Sequence, residues 1–344
     1  MADHTTMFLG KRPRRHDQRT LMMANYLTAA LPPAPASVDY TQGLTDWGIM
    51  RNDQLGCCTI AAVGHAVQAW TVNAGSRVNF ADRTIDLYYE KWDGYNPANP
   101  ATDQGGVELD VLNDWRQQGF AGHALDAYAA VGLGAGDWGL GAGGSGLGTR
   151  DSGFGKRVSE SQTSKPEFRI LEKDDAQFVS PSPESLTSSP VSRIPDIATA
   201  IWLFGGAYIG VELPITAQNQ DVWDVPANLT PNDEPGSWGG HAIYLVGYDF
   251  QNSGLGTRGS GPGTTNSASR ISNSGSQSPA PSTQPPTLTC ITWGQTKKMT
   301  WAWFAKYCSE AYALVSKDWL KASGVAPSGF DLATLESDLK VVTT

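Results

Sequence analysis

Two tracts of the 344-residue chain carry neither the helical nor the strand period of apolar residues, and they limit what the rest can become. The first, residues 132–193, opens with GLGAGDWGLGAGGSGLGTRDSGFG. In the second, residues 253–287, Gly, Ser, Pro and Thr fill 25 of 35 positions, leaving too few apolar groups to offset chain entropy. Both are expected to be mobile insertions of low complexity. The hexamer SGLGTR occurs in each, at 145–150 and 253–258, too short and too widely spaced for a solenoid repeat. The remainder, about 250 residues, has the size of a compact enzyme.

That remainder is ordered along the chain. CTIAAVGHAVQAWTV places Ile60, Val63, Val67 and Trp70 at helical spacing, and ELDVLNDWRQQGF does the same with Leu109, Leu112 and Trp115 before Gly119 ends the helix. IPDIATAIWLFGGAYIGVELP reads as a helix, a break at Gly205 and Gly206, then a strand; HAIYLVGYD and TLTCITWG read as further strands. Helices first and antiparallel strands afterwards predict an α+β fold. The expected organisation is a flexible N-terminal segment (1–35), a helical half (36–131), the first insertion (132–193), a strand-rich half (194–252), the second insertion (253–287), the end of the strand-rich half (288–316) and a C-terminal helical extension (317–344).

A formal charge of −9 opposes binding to phosphate backbones and anionic membranes, so no nucleic acid or membrane partner is expected. The one basic run, KRPRR at 11–15, reads as a solvated tail. No apolar stretch reaches the roughly 18 residues of a membrane span, and LMMANYLTAALPPAPA is interrupted at Asn25 and Tyr26 where a signal core would be uniformly apolar. Four cysteines, two of them adjacent at 57 and 58, do not form an oxidised framework. A cytoplasmic or virion-associated protein is expected. No HExxH, paired CxxC or phosphate-cradling loop is present, so neither a metal nor a cofactor is expected.

Chemistry is expected from two residues. Cys58 opens a helix, where the dipole favours thiolate, and His241 stands at the mouth of a strand behind Gly239 and Gly240, which would let a ligand backbone approach. Together they are candidates for nucleophile and base. His65 lies seven residues beyond Cys58 on the same helix, about 10.5 Å along its axis, too far for a direct bond and read as packing or capping. His123 reads as a surface-loop residue.

Around these two residues the sequence resembles the papain-like cysteine peptidases. ASVDYTQGLTDWGIMRNDQLGCCTIAA is similar to the mature start of that family and points to Cys58, not Cys57, as nucleophile. TDQGGVELDVLNDWRQQGF is similar to its Gly-Gly cleft wall and following helix, GGHAIYLVGYD to its catalytic-histidine strand, and CITWG to its Asn-Ser-Trp-Gly element. The resemblance implies a helical half packed against an antiparallel sheet or barrel, with the cleft between them. It also implies a thiol hydrolase of peptide bonds acting on a peptide or protein, with no oligomeric state specified.

Carried over residue by residue, it implies Cys58 and His241 as the catalytic pair, Gly105 and Gly106 as the wall that pairs with substrate backbone, and Trp238 and Trp293 as cleft-lining rings. The oxyanion-hole amide falls on Gln54 or Asn52; residue type favours Gln54, counting position favours Asn52. The family's orienting Asn aligns with Ile291, so Thr292 beside it is the possible orienter. The family's Trp after the nucleophile is Thr59, and its disulfide Cys is Leu55. With the Asn missing, two alternatives stand beside the peptidase: a catalytically inactive structural or binding protein on this fold, of phage type, and a cell-wall amidase or acyltransferase.

Overall fold

The computed structural model describes residues 7–25, 34–133, 194–250, 285–321 and 323–328. The two low-complexity tracts lie almost entirely outside these residues, both copies of SGLGTR and most of the C-terminal extension entirely so; of that extension the structure describes a short 3-10 turn, Lys317–Trp319, and the residues up to 328.

The helical side is built on α1 (Cys58–Ala74), which is apolar around nearly its whole circumference and is therefore buried along almost its full length. Two amphipathic helices flank it. α2 (Asp82–Trp92) turns Ile85, Tyr89 and Trp92 inward, and α3 (Glu108–Gln118) turns Leu109, Val111, Leu112 and Trp115 inward before Gly119, at φ +70°, stops it. The strand side is one sheet: β1 (Ser37–Asp39), β2 (Ala127–Ala130), β3 (Ala207–Leu213), β4 (Val222–Trp223), β5 (Gly239–Asp249), β6 (Thr287–Thr292), β7 (Gln295–Thr300) and β8 (Cys308–Val315). Its order is β2-β8-β3-β5-β6-β7-β4 with β1 on β5, and every pairing is antiparallel except the two-residue β4 against β7. Two helices belong to the second half of the chain: α4 (Ile194–Phe204), which the patterning indicates, and α5 (Trp301–Tyr307), which it does not.

The α+β architecture expected from the sequence is the observed one. Both halves share a single core. Trp70 of α1 donates to the Phe204 carbonyl at 2.9 Å, stacks on Trp115 at 5.7 Å and meets Tyr244 of β5 edge-on at 6.3 Å. Tyr208 of β3 donates to the Thr59 carbonyl at 3.1 Å. These contacts close the floor beneath a cleft between the two sides. No helix among the described residues is long and apolar enough to cross a membrane.

The N-terminal segment departs from the sequence expectation. Residues 1–35 read as flexible and 11–15 as a solvated tail, yet Lys11 is buried, its backbone N–H donates to Gly240 at 3.1 Å, and Arg12 donates to Gly106 at 2.8 Å. Further along, Arg14 donates to the Ser309 carbonyl and Arg15 pairs with Asp110. The physical reason is an acidic recess between the halves, which a charge count along the chain does not locate. Lys11, the one buried residue of the basic run, is the counter-charge of that recess.

Candidate active site

Cys58 is the first residue of α1 and is fully buried. Its Sγ accepts from the backbone N–H of Ala242, 3.4 Å away on β5, so the strand bearing His241 lies directly against the thiol. His241 Nε2 is 2.9 Å from Thr292 Oγ1 at the end of β6, while its other ring nitrogen, Nδ1, is buried without a hydrogen-bond partner. Antiparallel pairing of β5 with β6 brings together two residues 51 apart in sequence. Ile291, where the family's Asn aligns, is a buried core residue, and it is the neighbouring hydroxyl that reaches the ring.

The hairpin joining β6 to β7 turns through Trp293 and Gly294 at φ +44° and +76°. Asn or Asp ordinarily takes the first of these positions, and a left-handed Trp costs about 1–2 kcal/mol. The conformation presses the indole onto the His241 ring at 4.2 Å and 13°, and Trp238 stacks on the same indole at 5.6 Å. Beside Trp293 and Trp238 opens a cleft of about 370 Å³ that reaches Ile49, Trp223 and Lys297.

The two candidate amides separate clearly. Gln54 is exposed, accepting from Arg51 at 2.6 Å and donating towards Asp53, whereas Asn52 is buried, donating from Nδ2 to the carbonyls of Phe8 and Leu55, each at 3.1 Å. The preference for Gln54 on residue type is therefore corrected: the loop turns that side chain outward, and Asn52 is the amide on the cleft. His65 bonds the Gly48 carbonyl at 3.0 Å within the core, and His123 pairs with Asp318 at 2.8 Å.

Next to that open pocket, the groove between the two sides, at Asn52, Gly106 and Gly240, is filled by the chain's own residues 8–12. Asn52 and Phe8 exchange hydrogen bonds, Trp293 donates to the Phe8 carbonyl at 3.2 Å, Gly106 donates to the Gly10 carbonyl at 2.8 Å, and Lys11 and Arg12 donate to Gly240 and Gly106. Lys11 and Gly106 form a parallel bridge. Gly10 is the pinch point: a Cβ there would lie 1.7 Å from the Gly56 carbonyl oxygen, a position no other residue can take. The group Gly10 presents to the Cys58 sulfur is its backbone N–H.

Under this cover both reactive groups are neutral. Burial pushes the Cys58 thiol up to about 12, outweighing the pull of the Ala242 and Gly10 N–H groups. Helix position alone predicts the opposite direction; here exclusion of water dominates. Burial, with His65 adding repulsion, lowers His241 to about 3.

A base held below its ordinary value contributes stability above pH 6.5 that is lost as pH falls towards 3. Glu108, held well above the ordinary carboxyl value by burial, and Asp93, raised to about 7 by burial, act in the other direction, so the His241 contribution is isolated by difference. The unfolding free-energy difference between wild type and His241→Gln is expected to shrink by about 2 kcal/mol from pH 7 to pH 5. Chemical denaturation at the two pH values measures it; a pH-independent difference excludes a desolvated, neutral imidazole.

Sequence reasoning missed Lys11, Glu108, Glu212 and Glu310. The side chain of Lys11 is fully buried, with Nζ 2.9 Å from Glu212 and 3.1 Å from Glu310. A signal was present: GGVELDVL, AYIGVELP and CSEAYALV each carry one glutamate inside an apolar run, where an unpaired carboxylate is costly. Among the described residues no group of three or more His, Cys, Asp or Glu side chains is arranged to hold a metal ion.

No protein-family model and no curated protein matches the sequence. Among solved structures the chain is similar to xylellain, a cysteine protease from Xylella fastidiosa, at 11% identity and TM-score 0.48 over 90% of this chain and 96% of that one. It is also similar to the ragweed-pollen cysteine protease Amb a 11 in its proform, at 11% identity and TM-score 0.42 over 84% and 69%. A structure from work on the mite allergens Blo t 1 and Der p 1 matches at 9% identity and TM-score 0.37 over 91% and 77%. At such identities a likeness concerns chain path alone, and the chemistry rests on the side chains described above.

Proposed function

We propose that the protein is a papain-like thiol hydrolase that cleaves peptide bonds and whose cleft, in this form, is occupied by its own N-terminal segment. The observation that carries the reading is the meeting of Cys58 and the His241 strand across the cleft, with Thr292 on the far ring nitrogen. In the opened cleft the Cys58 thiol passes its proton to His241 Nδ1, and Sγ bonds to the substrate carbonyl carbon. The resulting oxyanion takes hydrogen bonds from Asn52 Nδ2 and the Cys58 backbone N–H. His241 returns the proton to the departing amine as the C–N bond breaks, leaving a thioester; water, losing a proton to His241, then hydrolyses it and regenerates the thiol. Gly106 pairs with the substrate backbone as it pairs with the segment, Gly105 leaves room for that backbone to approach, and Thr292 keeps the ring aimed.

A second reading, a binding protein without catalysis, draws on one observation: His241 Nδ1 makes no hydrogen bond in the closed form. The two readings part when the segment is lifted. Gly10→Ala is expected to cleave members of a fluorogenic peptide library, and Gly10→Ala with Cys58→Ala to cleave none. An opened chain that labels at Cys58 yet turns over no peptide would establish the non-catalytic reading.

A further inference from the structure

Glu108, Glu212 and Glu310 come from three elements, α3, β3 and β8, and all act on the Lys11 side chain, while Glu108 also acts on the Cys58 thiol. Glu108 is fully buried and both of its carboxylate oxygens lack a hydrogen-bond partner. It faces the recess: a Cβ added at Gly210 would lie 2.8 Å from Glu108 Oε1 and 2.1 Å from the Lys11 side chain, so both stand over the same bare patch of β3. Glu310 is braced by Tyr312, which donates to Oε2 at 2.8 Å, and Glu212 by Ser309, which donates at 3.2 Å. The recess is therefore a built site, and a cation suits it, because Glu212 and Glu310 meet at one point where their charges repel unless a cation lies between them.

We propose that this recess is the side-chain specificity pocket of the active site and that it selects a lysine of the substrate, with Lys11 as the internal competitor for it. The inference rests on the thiol-hydrolase reading in calling the ligand a substrate; the pocket itself rests on the three carboxylates. The Lys11 ammonium lies within reach of three acceptors, the Glu212 and Glu310 carboxylates and, at 3.4 Å, the Arg12 carbonyl. The Glu212 and Glu310 carboxylates, at 2.9 and 3.1 Å, converge on one nitrogen, a geometry that suits the point charge of a primary ammonium rather than the two parallel donors of a guanidinium fork. Gly210 supplies the groove for an unbranched alkyl stem. The backbone on either side of Lys11 is held by Gly106 and Gly240 within the catalytic cleft, so a ligand lysine reaching the pocket brings its own backbone to Cys58.

The test uses the full chain carrying Lys11→Ala and Cys58→Ala, titrated calorimetrically with an N-acetylated, C-amidated Ala-Leu-Lys-Gly-Ala-Ala peptide and with its isostere having norleucine for lysine. The lysine peptide is expected to bind about tenfold to a hundredfold more tightly, as charge-assisted hydrogen bonds allow. Glu310→Gln is expected to remove most of that preference. Equal affinity for the two peptides overturns the pocket, and tighter binding of the arginine analogue overturns its assignment to a primary ammonium. Should Lys11→Ala fail to fold, as judged by near-UV circular dichroism, Gly10→Ala, which lifts the segment by collision with Gly56, carries the same comparison. Turnover is measured separately with Cys58 intact. Lysine preference in binding with no turnover leaves the pocket standing and overturns the hydrolase reading, whereas turnover indifferent to lysine does the reverse.

Discussion

Lys11→Glu is expected to raise the rate at which a neutral alkylating agent labels Cys58 by at least about a hundredfold. In the closed form the sulfur is fully buried, so labelling requires the segment to leave. Lys11 is what holds it most firmly: its ammonium offsets Glu212, Glu310 and, electrostatically, Glu108. Removing one partner of a buried ion pair costs about 3–5 kcal/mol, and a fourth carboxylate adds repulsion to that loss. A shift of that size moves the closed-to-open balance by roughly two to four orders of magnitude. Cys57 and Cys290 are the internal controls, since both are buried in the shared core rather than under the segment. Peptide mapping after alkylation reads all four cysteines. Selective acceleration at Cys58 is the expected pattern; equal acceleration at Cys57 and Cys290 means that the chain has unfolded, and no acceleration means that the segment does not guard the thiol.

In the opened chain, substitutions at the site are expected to fall in a definite order. His241→Ala removes the proton acceptor and later donor and should lower turnover by about five orders of magnitude, comparable to losing a member of a nucleophile and base pair in other hydrolases. Asn52→Ala removes one oxyanion donor and should cost about two to three orders. Thr292→Val keeps shape but leaves Nε2 without the hydroxyl at 2.9 Å. It is expected to cost about one to two orders, less than the roughly four lost with the orienting group of serine enzymes, because a preformed thiolate and imidazolium depend on the orienter less. Thr292→Ser should recover most of the loss, since the hydroxyl returns. The measurement is kcat/KM on one fluorogenic peptide across the series. A Gln54→Ala loss larger than that of Asn52→Ala would contradict the placement of the oxyanion amide; Gln54 faces solvent and Arg51, so its replacement is expected to leave turnover within about twofold.

Periodicity carried the helices around Ile60 and Leu109 and the strand around His241, because an apolar face that must be buried repeats along the chain whatever it is buried against. Cys58 and His241 were legible as candidates for nucleophile and base for a related reason: helix start and strand mouth are local positions. Thr292 was legible only as a neighbour of Ile291, and which of the two touches the imidazole depends on the register of β5 against β6. Between Asn52 and Gln54 the two local signals, residue type and counting position, disagree, and a loop's path decides which amide faces inward. Gln54 was preferred on residue type, and that path turned it out.

What the sequence by itself determined is the α+β class and the spacing of the elements, and it singled out Cys58 and His241 as candidates; all follow from short-range patterns that hold before the chain closes on itself. Tertiary structure alone decided that a basic run near residue 11 returns to fill the cleft and that three glutamates far apart in sequence share one recess. It also decided that burial leaves the thiol and imidazole neutral despite the helix position of Cys58. The physical reason is common to all three. Desolvation and Coulomb energy depend on distance and on exclusion of water, and neither quantity exists until distant segments have come together.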